Sequence, residues 1–240
     1  MHFAFSDDQV LIRQSIKALT EQLCTVEDVR EFSESSEAYS KSLWRHLAAS
    51  GYCGVRISED DGGSSLGMIE AGSVLESLGG ALASVPFLAT SILAPEIVGS
   101  LGNPEQKFEW LSAIAEGRLA IAVLGVTNDA ARTSADATTL NGTWSPVACS
   151  EELDMVLVRV ELHGKHYFVA LPSGSAHLRI EPLETMDATR RFATISLVGY
   201  PLDERHILPE PVTTSFLERL EALAAAGAAA EMLGVATRVM

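Results

Sequence analysis

The sequence predicts an α+β chain with segregated parts. These are an all-helical N-terminal domain over residues 1–117, an antiparallel β-barrel or sandwich domain over 118–209, and, over 210–240, the first helix of a C-terminal helical bundle. Three observations carry that reading. Up to Gly117 apolar residues recur every three or four positions, and the breaks between them carry helix-capping residues. Beyond Gly117 the apolar runs shorten to strand length and are separated by turn residues. From Thr213 or Thr214 to Met240 the pattern is helical again, rich in Ala and unbroken by Pro.

The first helix opens at Ser6, whose capping box is completed by Gln9, with Phe5 and Val10 spaced for a hydrophobic staple. Ile12, Ile16, Leu19 and Leu23 then mark one face. A second helix carries Leu43, Trp44, Leu47 and Ala48 and ends at Gly51, a residue suited to a left-handed C-cap. Ile69 to Leu78 reads as a third. In "GNPEQKFEWLSAIAEG" Asn103 caps, Pro104 fits the first turn and Gln106 fills the box position. Phe108, Leu111, Ile114 and Ala115 are its expected buried stripe, and Gly117 closes it. "LAIAVLGV" starts the strands. Asn141-Gly142 in "TTLNGTW" favours a tight hairpin. "DMVLVRVELHGKHYFVAL" reads as two strands turning at His163-Gly164, "HLRIEPL" and "FATISLVGYPL" continue the series, and Pro209 and Pro211 mark its exit.

Composition narrows the function classes. The 240 residues are 47% apolar and 20% charged, as in a soluble globular protein with a full core. Net charge is −15, from 17 Lys and Arg against 32 Asp and Glu, which argues against a nucleic-acid partner. Cys24, Cys53 and Cys149 are few, odd in number and far apart, so they read as reduced thiols of a cytoplasmic protein. "MHFAFSDDQ" lacks the basic start and apolar run of a signal peptide. Ala222 to Met240 carries only Glu231 and Arg238 as charges, yet its Ala and Gly have little transfer energy and Glu231 falls near its middle. The expectation is no membrane span but a helix buried among other helices.

Candidate constellations are sparse. "SEDDGGSSLG", Ser58 to Gly67, has no phosphate-loop spacing, and Glu59, Asp60 and Asp61 would repel a phosphate; it reads as a connection between helices. His163 and His166 straddle a turn and make a poor metal site. "DATRR", Asp187 to Arg191, suits either an anionic ligand or a surface ion-pair cluster. No nucleophile elbow and no dinucleotide loop occurs. Residue types and spacing alone give the architecture and no active site.

Longer segments say more. "FSDDQVLIRQSIKAL", "LWRHLAASGYCGVRISEDDGGSSLG", "VLESLGGALASVPFLAT" and "LGNPEQKFEWLSAIAEGRLAIAVL" resemble the N-terminal helical domain of the acyl-CoA dehydrogenases. "LETMDATRRFATISLVGYPLDERHIL" resembles the end of that family's middle β domain, and "LERLEALAAAGAAAEMLGVATRVM" the first helix of its C-terminal domain. The resemblance implies FAD as cofactor, an acyl-CoA substrate of fatty-acid β-oxidation, electron-transferring flavoprotein as acceptor, and a homo- or hetero-oligomer. In the implied reaction a glutamate removes the α-proton, the β-hydride passes to flavin, and a trans-2-enoyl-CoA results. Family members carry that glutamate on helices beyond Met240, so no catalytic residue is expected here and Glu231 matches no such position.

The flavin-facing segment, in the family threonine-glutamate-proline followed by a glycine-rich stretch ending in serine, is "VTNDAARTS" in this chain. Thr127 keeps the threonine, Asn128 and Asp129 replace the next two residues, and Thr133 stands at the serine. In "WSPVACS" Pro146 falls at the family's tryptophan, Ala148 at its threonine, and Trp144 two residues early. The resemblance thus implies Val126, Thr127, Thr133, Val147 and Ala148 as cofactor-binding residues. Two further readings stay open: a non-catalytic partner subunit of a heteromeric dehydrogenase, and oxidase or monooxygenase chemistry on the same plan.

Overall fold

The computed structural model describes residues 4–127, 132–133, 138–149 and 151–240, with 132–133 as backbone only. Its first layer is helical: α1 (Asp7–Leu23), α2 (Val26–Glu34), α3 (Lys41–Ala49), α4 (Met68–Gly80), α5 (Ala94–Leu101) and α6 (Pro104–Ala115). A π-helical turn, Leu88–Leu93, leads directly into α5. The capping boxes at Ser6 and Asn103 form as the sequence predicts, and a third forms at Thr25. Gly51 has φ +76°, the left-handed turn expected after α3.

Among the described residues seven strands follow: β1 (Ile121–Leu124), β2 (Arg132–Thr133), β3 (Thr139–Val147), β4 (Met155–Leu162), β5 (Lys165–Pro172), β6 (Leu178–Leu183) and β7 (Phe192–Pro201). They form two separate sheets, ordered β1-β4-β5 and β2-β3-β7-β6, rather than a closed barrel. The first sheet lies between the helices and the second. Period-two alternation makes this possible: Ile121, Met155 and Leu157 face the helical core, while Ala122, Val156 and Val158 face the other sheet. A third core fills the helical layer itself, around Ile16, Leu43, Leu47, Val74 and Leu75.

Several expectations are corrected. β1 pairs with β4 in parallel, Ile121 opposite Met155, because the chain visits the second sheet between them; a parallel pair requires such a crossover. Asn141-Gly142 is no hairpin but lies inside β3, where Asn141 Oδ1 accepts a hydrogen bond from the Gly199 N–H at 2.9 Å. Phe108 is 74% exposed, and Trp110 takes the buried place on α6. The Phe5 ring carries the Arg13 guanidinium, 4.6 Å from its centroid, and both Phe5 and Val10 remain exposed. Helix α2 was not anticipated, since its nine residues show no full apolar stripe and none of them is buried.

The last helix, α7 (Thr214–Val239), starts at its Thr213 cap and packs along one side only. Among its 26 residues Phe216, Leu220, Gly227 and Gly234 are buried, while Met232, Leu233 and Val239 stand exposed. At its base the Glu96 carboxylate accepts from both Arg56 (2.9 Å) and Arg219 (2.8 Å). Higher up it crosses α4 backbone to backbone. A Cβ on Gly79 would stand 2.2 Å from the Glu231 carbonyl oxygen, and one on Gly234 would stand 1.8 Å from that of Glu76.

This crossing yields opposite outcomes for one kind of substitution. Ala is favoured over Gly inside a helix by about 1 kcal/mol. At exposed Gly99 on α5 an added Cβ meets nothing, so Gly99→Ala should raise stability by about 0.5–1 kcal/mol in urea melts. At Gly234 the clash is with backbone that cannot swing aside, and Gly234→Ala should lower stability by about 1–3 kcal/mol despite the same propensity gain.

Candidate functional site

Where the helical layer meets both sheets, a cleft of about 230 Å³ opens. Its helical wall is the π-turn, through Leu88, Ala89 and Leu93; its sheet wall is Val123 of β1 together with Val147, Ala148 and Cys149 at the end of β3. The floor is therefore apolar. The mouth is framed by Tyr39 from the α2–α3 connection, Ser84 to Pro86 from the turn after α4, Arg190 and Arg191 before β7, and Glu231 of α7.

Each part is held by a nameable contact. The Ser40 N–H donates to the Ser84 carbonyl at 2.8 Å, tying the two helical connections together. Tyr39 meets Trp44 edge-on at 6.3 Å, and its phenol is raised above the usual range by burial and by the charges of Asp154 and Glu152. The paired arginines divide their work. Arg191 donates to the carbonyls of Phe32, Ser35 and Glu37 at 2.9–3.0 Å and lies 4.3 Å above the Phe32 ring, so it caps the C-terminal end of α2. Arg190 donates to Glu231 Oε2 at 2.5 Å; the glutamate side chain is 15% exposed and the arginine 44%. The close approach at Gly79 is what brings Glu231 to the mouth.

Two roomier hollows, of about 500 and 600 Å³, each hold an arginine that is already paired. Arg13 is bidentate to Glu76 at 2.7 and 2.9 Å in one, and Arg219 bonds Glu96 and Ser100 in the other.

Of the residues proposed from sequence, Val147 and Ala148 line the cleft. Val126 is buried in the core between the helices and the first sheet, and Thr127 is exposed just past β1; neither reaches the cleft wall. Thr133 lies in β2, but its side chain, like Asn128 and Asp129, is outside the described residues. Trp144 is buried between the sheets and Pro146 is exposed. A flavin fits this strand end on backbone grounds. Ala148 is exposed one residue past the last ladder pair, Val147 with Ala193, and its single methyl lets a flat ring approach the peptide groups. The π-turn, Val123 and the Arg190–Glu231 pair were missed; the last joins positions 41 residues apart, a distance no local pattern reports.

The cysteines are unsuited to nucleophilic work. Burial pushes Cys149, in the cleft wall, up to about 12, Cys53 to about 12 and Cys24 to about 11.

Comparison with known proteins gives a consistent result. Residues 6–118 match the family described as acyl-CoA dehydrogenase, N-terminal domain. The chain is 36% identical over 113 residues to the acyl-CoA dehydrogenase IpdE2 of Mycolicibacterium smegmatis, covering 47% of this chain and 35% of that protein. It is 31% identical over 105 residues to the acyl-CoA dehydrogenase FadE27 of Mycobacterium tuberculosis, covering 43% and 28% respectively. Its fold is similar to a chain of the ChsE4–ChsE5 complex from Mycobacterium tuberculosis, with TM-score 0.87, 23% identity, and coverage of 99% of this chain and 66% of that one. The matches thus span about a third of the curated relatives and about two thirds of the solved chain.

The raised thiols set a pH dependence. In the unfolded chain they ionise from about pH 8.5–9, whereas the folded ones stay protonated, so above that range the native state binds more protons and stability falls as pH rises. Stability in urea should decline from about pH 9 towards 12, and replacing Cys53 and Cys149 by Ala should flatten that slope.

Proposed function

Because the chain belongs to the acyl-CoA dehydrogenase family, we propose that its cleft is the acyl end of an FAD-dependent site where an acyl-CoA thioester is desaturated to a trans-2-enoyl-CoA. One observation carries this reading: the apolar cleft lies between the π-turn and the same strand end, Val147 and Ala148, that the family resemblance implies for the flavin. FAD, when bound, supplies the hydride acceptor. Thr127, Val147 and Ala148 would hold it, largely through backbone groups and a small side chain. Leu88, Ala89, Leu93 and Val123 take the acyl chain and exclude water from it, which strengthens every polar contact made at the thioester.

Glu231 is the one carboxylate in the cleft wall among the described residues, and Arg190 holds it. Glu231 is engaged by Arg190 and matches no position of the family's base, so the proton-removing group comes from other helices. These cover the exposed Met232, Leu233 and Val239 of α7 and belong to a longer form of the chain or to a partner. The partner-subunit reading draws support from the likeness to a solved complex of two named chains. Electron-transferring flavoprotein as acceptor, a place in fatty-acid β-oxidation and a cytoplasmic location complete the proposal.

The test is spectroscopic. FAD is mixed with the purified chain and dialysed, and butyryl-CoA is then titrated in; a retained flavin band perturbed by the ligand supports the reading. No acyl-CoA binding with FAD present overturns it, and desaturation by the isolated chain overturns the assignment of the base to other helices. The ion pair is tested separately by exchange. Glu231→Arg should cost about 1–2 kcal/mol, less than a fully buried pair because Arg190 is nearly half exposed. Adding Arg190→Glu should recover that stability in thermal melts.

A further inference from the structure

Among the described residues β1 is an edge strand, with β4 on one side and no strand on the other. The outward N–H and C=O of Ile121 are nevertheless satisfied, and by a single side chain. Thr90 Oγ1 accepts from the Ile121 N–H at 2.9 Å and donates to the Ile121 carbonyl at 3.3 Å. Thr90 sits inside the π-turn and is completely buried. The π-turn is itself a departure from regular helix of a kind frequent at functional sites. Its residues on either side of Thr90 face the cleft as Leu88, Ala89 and Leu93. Two residues along β1 from Ile121, on the same strand face, is Val123, which lines the opposite wall. One hydroxyl therefore bolts the two walls of the cleft together at their base.

We propose that Thr90 is a positioning residue that sets the aperture of the cleft, and through it the girth of the acyl group accepted next to the thioester. This rests on the cleft being the acyl site. The π-turn carries one wall and β1 the other, and no backbone hydrogen bond joins Leu88–Leu93 to Ile121–Leu124; removal of the hydroxyl lets the walls part while their apolar faces stay intact. The expected preference of the wild-type protein is for straight over α-branched chains.

The experiment compares dissociation constants for butyryl-CoA and isobutyryl-CoA with FAD bound, in the full chain. Thr90→Val keeps the shape and removes both bonds; it should reduce the straight-over-branched ratio by about fivefold or more, the scale on which one methyl group is discriminated. Thr90→Ser keeps the hydroxyl and should stay within about twofold of wild type. Val123→Ala widens the cleft from the other wall and should shift the ratio in the same direction as Thr90→Val. A Thr90→Val protein of lower melting temperature with an unchanged ratio overturns the inference and leaves Thr90 a fold residue. If Thr90→Val does not fold, an unchanged ratio in Val123→Ala overturns it, and a shifted ratio there with a wild-type ratio in Thr90→Ser supports it. A wild-type chain that binds neither thioester sinks the parent reading instead.

Discussion

The arrangement depends on how closely α7 can approach α4. Gly79 and Gly234 each stand against a carbonyl oxygen of the other helix, at distances that no side chain permits. Gly227, a further two turns towards the start of α7, leaves the space that the Leu88 side chain fills. Contact of this kind gains little from hydrophobic bulk. It gains from dispersion over a long, tight seam, and any added methyl acts on the whole seam. The position of Glu231, the mouth of the cleft and the lie of the π-turn all follow from that approach.

The charged pair at the mouth is a consequence of the same geometry. Packing Gly79 against Glu231 commits a carboxylate to a mostly enclosed position, which is unfavourable unless a cation meets it. Arg190 does so from the turn before β7. Such pairs add little net stability compared with apolar residues of the same size, so the pair is better understood as keeping the mouth polar and locally neutral. This holds in a chain whose overall charge is −15, where an unpaired carboxylate at the entrance would repel any anionic ligand.

Local signals were legible in the sequence. Ser6 with Gln9, Asn103 with Gln106, Thr213 and the turn at His163-Gly164 each satisfy nearby backbone groups, so a few adjacent residues suffice to announce them. What the sequence hid was non-local. The parallel pairing of β1 with β4 depends on strands made in between, and Asn141-Gly142 was captured by β7 because the Gly199 N–H needed an acceptor. Phe108 and Trp110 compete for one helix face, and only the tertiary neighbours decide between them. "DATRR" allowed two readings, and the structure realises a charge pair through Arg190 and a helix cap through Arg191. In the cleft, Val147 and Ala148 were reached by likeness to relatives, whereas nothing in the spacing of Thr90 or Glu231 pointed there.

Arg191 joins the end of α2 to the start of the second sheet's β7. A single guanidinium satisfies carbonyls at the end of α2 while its own backbone opens β7, so the short acidic helix and the second sheet share one joint. That joint is planar and multi-toothed, and a compact ammonium, whose donors form no rigid fork, would not reproduce its geometry. The cleft entrance beside that joint, lined by Tyr39 and by Arg191 itself, therefore takes its position from the helix and the sheet together.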